Sequence, residues 1–408
     1  MKVLHTSDWH LGRALYGRKR YDEFDAYLTW LLETIRREQV DVLIISGDIF
    51  DTTTPTNRAQ EQYYRFLGNV RSAGCRYIVV VAGNHDSPTF LDAPAMLLRS
   101  MGVHVIGAMP ENIEDEVIVL CDDRGAMQLV VCAVPYLRER DLRRAEPGET
   151  EEDRQRKVTE GIAEHYRRVL AAALTRVNSG ARVPIVATGH LFASGAVTVE
   201  GDGVRELYVG TLAHFSATSF PGGFDYVALG HLHVPQLVGN NPRIRYSGAP
   251  LPMGVNEASQ QKEVVLLEWR DDHFDVVTLP IPRFQRLSLV GGDWDDIETG
   301  LAALIRKNES VWVEVDYSGD ALMPDLKEKI FEMLNGTCVE VLRIRNRRVL
   351  NQVLQRIDTH PDLNELGAEE VFRRRLALET PGEEVTAELE ACYREILAQV
   401  LEADGNAE

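Results

Sequence analysis

The sequence predicts a layered α/β sandwich over residues 1–280, a smaller α+β domain over 281–348 and a C-terminal helical tail over 349–408. Three observations predict it. Short Val- and Ile-rich runs alternate with helical patterns through the first part, as in sheets whose strands are buried on both faces. Five of those runs end on a small residue followed by a side chain able to bind a metal. Beyond Pro280 and Pro282 the pattern changes to strand, helix, strand, helix, strand. At 408 residues and 44% hydrophobic content, the chain exceeds what one core usually organises.

The five runs are VLHTSDWH (3–10), VLIISGDIFD (42–51), YIVVVAGNHD (77–86), PIVATGH (184–190) and YVALGHLH (226–233), each read as a buried strand entering a loop. Ligands in layered α/β folds sit beyond such strand ends, so the five loops can converge on one site. Between them, Tyr27 to Arg37 carries Leu28, Leu31, Leu32 and Ile35 on one helical face, and a longer charged helix is expected from Glu151 to Val177. In the second part Leu287 to Val290 reads as a strand. Asp293 can cap a helix carrying Ile297, Leu301, Leu304 and Ile305, and Val311, Val313 and Val315 alternate as a strand should. A helix from Leu326 to Leu334 and a strand from Cys338 to Arg347 complete the domain. Arg343, Arg345 and Arg347 share one strand face, with Arg348 beside them, as a phosphate-contacting stripe or as a solvated face.

In the tail, Thr380, Pro381 and Glu383 have the layout of an N-cap, a first-turn proline and a capping-box acid. Val385, Leu389, Cys392, Ile396 and Val400 then form an apolar stripe at helical spacing. Such a stripe packs on its own domain or docks a partner.

A net charge of −19 argues against a protein that coats nucleic acid unaided, so any DNA contact is expected to be local or shared with a partner. Five cysteines (Cys75, Cys121, Cys132, Cys338, Cys392), odd in number and without a CxxC, indicate neither a disulfide framework nor a zinc ribbon. With no signal peptide and no apolar run of about 18 or more residues, the expectation is a soluble, cytoplasmic protein.

Two hard cations about 3.5 to 4 Å apart need a bridging carboxylate and a mixture of imidazole and oxygen donors on each side. Asp8, His10, Asp48, Asn84, His190, His231 and His233 are such a set, and five of the eleven histidines lie at these loops. Gly47 lets the chain come close beside Asp48. Any one motif alone is weak; the five in order are not.

In that order, D-x-H, G-D, G-N-H-D, G-H and G-H-x-H, the motifs resemble the calcineurin-like metallophosphoesterase superfamily. The resemblance implies a metallophosphoesterase sandwich of two central sheets flanked by helices. It implies that Asp8, His10, Asp48 and His233 hold a first metal, and that Asp48, Asn84, His190 and His231 hold a second. Manganese is the metal it suggests, though the donor types also suit iron or zinc. His85 then stabilises or protonates the leaving oxygen. Asp86 either orients its ring or caps the turn.

The segments HTSDWHLGRALYGRKRYDEF, SGDIFDTTTP, VPYLRERDL and YSGAPLPMGVNEASQQKEVVLLEW are similar to the nuclease subunit of a bacterial DNA-end-processing complex. That resemblance runs across nearly the whole chain. It implies an ATP-dependent double-strand exonuclease and hairpin endonuclease, with 281–348 as a DNA-capping domain and 349–408 as the segment gripping an ATPase subunit. It also implies a homodimer within a heterotetramer. Asp51 stands where some relatives have a histidine, and that histidine's role is not carried over. No GxxxxGK[ST] occurs, consistent with a nucleotide site on the partner. Arg13, Arg18, Lys19 and Arg20, together with Arg343, Arg345 and Arg347, are the candidate DNA-backbone contacts, or else a solvated basic loop and strand. The competing readings are a small-molecule or cyclic-nucleotide phosphodiesterase and a scaffold without turnover.

Overall fold

The structure, a computed structural model, describes residues 1–144, 149–177, 182–193, 215–319, 321, 323–346, 389 and 393. The chain starts with β1 (Lys2–Thr6), a small hairpin of β2 (Ala14–Leu15) and β3 (Arg18–Lys19), and α1 (Tyr21–Glu38). Then come β4 (Val42–Ser46), α2 (Asn57–Val70), β5 (Tyr77–Val81), α3 (Pro88–Asp92), α4 (Ala95–Ser100) and β6 (Val103–Ile106). These are followed by β7 (Val117–Cys121), β8 (Met127–Cys132), α5 (Glu139–Leu142), α6 (Glu151–Arg176), β9 (Ile185–His190) and β10 (Tyr226–Gly230). Next are β11 (Gln236–Val238), β12 (Asn241–Tyr246), β13 (Glu263–Arg270) and β14 (His273–Pro280). The smaller module comprises β15 (Arg286–Gly292), α7 (Trp294–Lys307), β16 (Val311–Tyr317), α8 (Leu326–Leu334) and β17 (Val339–Asn346).

Two six-stranded sheets form the centre, in the orders β14-β13-β1-β4-β5-β6 and β11-β12-β10-β9-β8-β7. β1, β4, β5 and β6 run parallel, as do β8, β9, β10 and β12, while antiparallel pairings close every edge but that of β6. Alternation along each strand decides which core a residue joins. Val3, Ile44, Val79 and Val81 meet Val131, Val186 and Ala228 between the sheets. The opposite faces pack outward, Leu4, Leu43 and Ile45 against Phe24, Leu31 and Phe66, and Val130, Ala187 and Val227 against Ile162, Tyr166 and Val169. The result is the expected sandwich of two central sheets flanked by helices.

α1 starts six residues before the expected Tyr27, with Asp22 and Glu23 in its first turn, where acids favour the positive end of the helix dipole. α6 starts at the expected Glu151, its N-cap Thr150 accepting from the Asp153 N–H at 3.2 Å. The smaller module has the expected element order, and its sheet runs β15-β16-β17. One detail differs. β16 is buried at all seven positions rather than at alternate ones, because Trp312 packs with Leu15 of the hairpin and Glu314 is bonded by Tyr16.

By compactness, residues 1–291, 295–315 and 323–344 form one unit, and 292–294, 316–322 and 345–408 a second. Within the second, the Tyr317 hydroxyl donates to the Ala321 carbonyl at 2.7 Å. Arg347, Arg348 and the tail, apart from Leu389 and Tyr393, lie outside the described residues, so the expected tail helix does too.

Candidate metal centre

All five loops leave the carboxyl ends of their strands at neighbouring positions, β1, β4 and β5 in one sheet and β9 and β10 in the other. The loops after β1 and β4 run side by side. Asp8 N–H donates to Gly47 at 3.0 Å, His10 N–H to Asp48 at 2.9 Å and Leu11 N–H to Ile49 at 2.9 Å. Asp8, His10, Asp48 and His231 all adopt positive φ (53°, 49°, 50° and 103°). Such conformations are sparsely populated for these residues, and surrounding structure must hold them. Gly47, at φ 88°, has a further reason to lack a side chain, since a Cβ there would lie 2.2 Å from His190 Nδ1.

The donors converge closely. His10 Nε2 and His233 Nε2 are 3.1 Å apart, and His10 Nε2 is 3.6 Å from Asp48 Oδ2. The same Asp48 oxygen is 3.2 Å from His190 Nε2. Asn84 Oδ1 lies 3.0 Å from both His190 Nε2 and His231 Nδ1. Asp8 has donor atoms within 4.8 Å of those of His10 and His233, and of those of Asp48 and His190. Donors sharing one cation at bonds of about 2.0–2.2 Å sit about 3 Å apart, and the spacings in this set suit a dimetal site.

The electrostatics point the same way. Burial pushes the Asp8 carboxyl up to about 7, with Asp48 adding to the rise and His190 opposing it. Burial also disfavours a charged Asp48, yet His190, His10 and His85 hold it well below the carboxylate range. Burial opposes a charged His190, but Asp48, Asp8 and the Ser46 carbonyl outweigh it and raise the ring to about 9. His231 is pushed down to about 3 by burial and then by His190, and His10 is lowered chiefly by burial.

His85 sits beside this set, its ring 4.8 Å from that of His10. Its N–H donates to Asp48 Oδ1 at 2.8 Å, and its Nδ1 pairs with the Asp51 carbonyl at 2.9 Å, which leaves Nε2 directed elsewhere. Asp86 has a different part from ring orientation. Its oxygens accept from Gly83, Ile49 and Phe50 N–H at 2.8, 3.1 and 3.0 Å, clamping the β4 and β5 loops together. Burial, then Asp48, push this carboxyl up to about 6.

Two supports were not expected. Asp51 Oδ1 faces His10 Nδ1 at 3.4 Å and Arg13 at 3.1 Å, fixing which imidazole nitrogen turns inward. Buried Lys262 donates to the His233 carbonyl at 2.9 Å and pairs with buried Glu257. Asp51 was visible as the acid closing GDIFD; nothing in the sequence ties Lys262 to His233, which lies 29 residues earlier.

The basic candidates divide. Arg20 is buried, forked onto Glu23 at 2.9 and 2.8 Å and bonded to the Pro252 carbonyl, so the expected backbone contact is corrected to a structural one. Arg13 is paired with Asp51. Arg18 is exposed, 3.2 Å from Glu340 and over the Trp312 ring, and Arg343 lies over the Tyr16 ring. Lys19 is exposed and makes no ion pair among the described residues. Arg345 is half-buried, and Arg347 lies outside the described residues.

A helix-flanked double sheet with this donor set at its strand ends is the architecture of a metal-dependent phosphoesterase. Residues 1–235 match the family described as calcineurin-like phosphoesterase, and residues 283–380 match the family described as type 5 capsule protein repressor C-terminal domain. SbcD of the nuclease SbcCD from Escherichia coli (strain K12) is 35% identical over 93% of this chain and 93% of its own length. The SbcD protein of Rhodobacter capsulatus is 37% identical, and that of Bacillus subtilis (strain 168) 35% identical, each over 66% of both chains. The chain belongs to the calcineurin-like phosphoesterases and, within them, to the SbcD subunits of SbcCD nucleases.

Proposed function

We propose that this nuclease is the DNA-cleaving subunit of an ATP-dependent complex with an SbcC-type ATPase, acting as double-strand exonuclease and as single-strand and hairpin endonuclease. Its setting would be the cytoplasm, in DNA repair, recombination and replication. The observation that carries the reading is the convergence of seven metal-competent side chains, with one Asp48 oxygen between His10 and His190, in a chain similar along 93% of its length to an SbcCD nuclease subunit. Among the described residues no helix is long and apolar enough to cross a membrane.

In this reading Asp8, His10, Asp48 and His233 hold one cation and Asp48, Asn84, His190 and His231 the other, with manganese as the proposed metal. When bound, the two cations acidify the attacking water and neutralise charge on the phosphoryl oxygens. Asp51 and Lys262 keep His10 and His233 aimed inward. His85, its Nδ1 side held by the Asp51 carbonyl, presents Nε2 to stabilise or protonate the departing oxygen. Lys19, Arg18, Arg343 and Arg345 are the proposed backbone contacts. Residues 281–348 cap the DNA and 349–408 grip the ATPase. Exposed Met96 and Leu97, 91% and 68% accessible on α4, offer an apolar face for the second copy of a homodimer within a heterotetramer.

The competing phosphodiesterase reading shares the metal centre and leaves the smaller module without a use. The test is manganese-dependent cleavage of a hairpin-capped duplex by the full chain, with and without the ATPase partner and ATP, beside His85→Ala. Cleavage strengthened by partner and ATP and absent in the variant is expected. Turnover of a small phosphodiester with no DNA cleavage under any condition would favour the competing reading.

A further inference from the structure

The hairpin after the first metal loop is too short to hold its own shape. It has two residues per strand, with Leu15 opposite Arg18, and its turn residues Tyr16 and Gly17 both have positive φ (47° and 84°). That is the pattern of a type I′ turn, but a two-stranded hairpin is marginal alone and Tyr is a poor residue for positive φ. Something else keeps it in place.

Its contacts are with the smaller module. The Tyr16 hydroxyl donates to Glu314 at 2.7 Å, and Arg343 lies 5.1 Å from the centre of the Tyr16 ring. Arg18 is 3.2 Å from Glu340 and 5.5 Å from the centre of the Trp312 ring. Leu15 packs with Leu287 and Trp312, against partly buried Leu342. Trp312 and Glu314 are only 7% and 1% exposed, although both lie on the face of β16 that its valines leave to solvent by simple alternation. The hairpin covers that face, and a buried carboxylate needs donors of this kind.

At its other end the hairpin is rooted in the metal loop. Only four residues separate His10 from Leu15, and Arg13 N–H donates to the His10 carbonyl at 3.0 Å. On the far side, buried Arg20 locks the chain onto Glu23 and Pro252. Most of the cations expected to face DNA here are thus occupied within the protein.

We propose that this hairpin is a latch that sets the smaller module against the first metal loop and so selects substrates by size, with Tyr16 and Glu340 as its specificity-determining residues. A duplex that must lie on the module and reach the metal centre depends on that setting. A small phosphodiester, which meets the metal centre alone, does not. The inference rests on the nuclease reading.

The experiment measures two manganese-dependent rates of the full chain, cleavage of a hairpin-capped duplex and hydrolysis of bis(p-nitrophenyl) phosphate, in Tyr16→Phe, Glu340→Gln and the double variant. Tyr16→Phe removes one hydroxyl and keeps the ring, so a folded protein is retained, as its melting temperature would verify. The latch predicts that duplex cleavage falls by about tenfold in the double variant while the small ester changes by less than about twofold. Equal loss of both rates would overturn it, as would no loss of either. Faster duplex cleavage by Glu340→Gln would also overturn it, by showing that the Arg18–Glu340 pair holds the duplex off instead of setting the module for it. Failure of the nuclease reading is seen separately, as absence of duplex cleavage in the unaltered chain.

Discussion

The metal centre and the basic hairpin lie a few residues apart in the chain and are built on opposite principles. At the centre, several buried donors crowd together, with Asp48 shared between His10 and His190. His10 and His233 nitrogens stand 3.1 Å apart, and Asp8 and Asp48 are both fully buried near each other. Across the hairpin, unlike groups face one another: Arg13 with Asp51, Arg18 with Glu340, Arg20 with Glu23, and Arg343 with the Tyr16 ring. So dense a set of buried donors suits a bound cation, whereas the pairs across the hairpin are complete within the protein. The difference teaches that a dense convergence of donors signals binding, and that a basic run whose members are already paired signals internal docking first.

The sharpest way to break the comparison is to disable the centre in two different ways. Asp48→Ala removes the carboxylate shared by both halves of the donor set, so cleavage is expected to fall by about a thousandfold or more and manganese should no longer raise the melting temperature. His85→Ala should cost about a hundred- to ten-thousandfold in cleavage while leaving that thermal shift intact. Calorimetric titration of manganese beside the cleavage assay separates them. An Asp48 variant that still binds two ions would show the shared oxygen to be dispensable.

A second prediction concerns pH. In the proposed ligand set, metal binding needs Asp8 ionised and His190 neutral, yet burial holds Asp8 protonated up to about 7 and the carboxylates keep His190 protonated up to about 9. Both shifts are upward, so protons compete with the cation below those values. Affinity should therefore rise as pH rises through about 7, by about tenfold per pH unit for each proton displaced. Titration in two buffers of different ionisation heat counts the protons released. Manganese affinity that stays flat between about pH 6 and 8 would show that neither group binds the ion.

Much of the centre was legible because its signal is local. A Val- and Ile-rich run fixes a strand, and the donor follows within a few residues, so the five loops could be read one at a time and joined by topology. What could not be read depends on residues far apart. Tyr16 meets Glu314 across 298 positions, and that contact, with Leu15 against Trp312, explains why β16 is buried on both faces rather than alternating. The burial of Arg20 had a local hint in Glu23 three residues on, but a position inside a basic run says nothing of which cation turns inward. Asp86 illustrates a third case. The sequence left it between orienting the His85 ring and capping the turn; its oxygens cap the turn at the Gly83 N–H and also hold the Ile49 and Phe50 N–H groups of the neighbouring loop.

The smallest expected effect sharpens the comparison at the hairpin. Lys19 shares the basic run with Arg18 and Arg20 but is exposed and unpaired among the described residues, so its charge is available to a phosphate. Lys19→Ala should leave the melting temperature unchanged and weaken duplex binding only a few-fold, reducing the dependence of log affinity on log salt by about one phosphate contact. Arg20→Ala, by contrast, strands Glu23 in a buried site and should destabilise the fold by about 3 kcal/mol or more before any effect on DNA is measured. Fluorescence anisotropy of a labelled duplex across a salt series, alongside thermal unfolding of each variant, distinguishes the two. If Lys19→Ala lowers stability, or leaves the salt slope untouched, the hairpin holds no free cation for DNA. Its basic run would then be wholly a docking device, with the duplex recognised elsewhere.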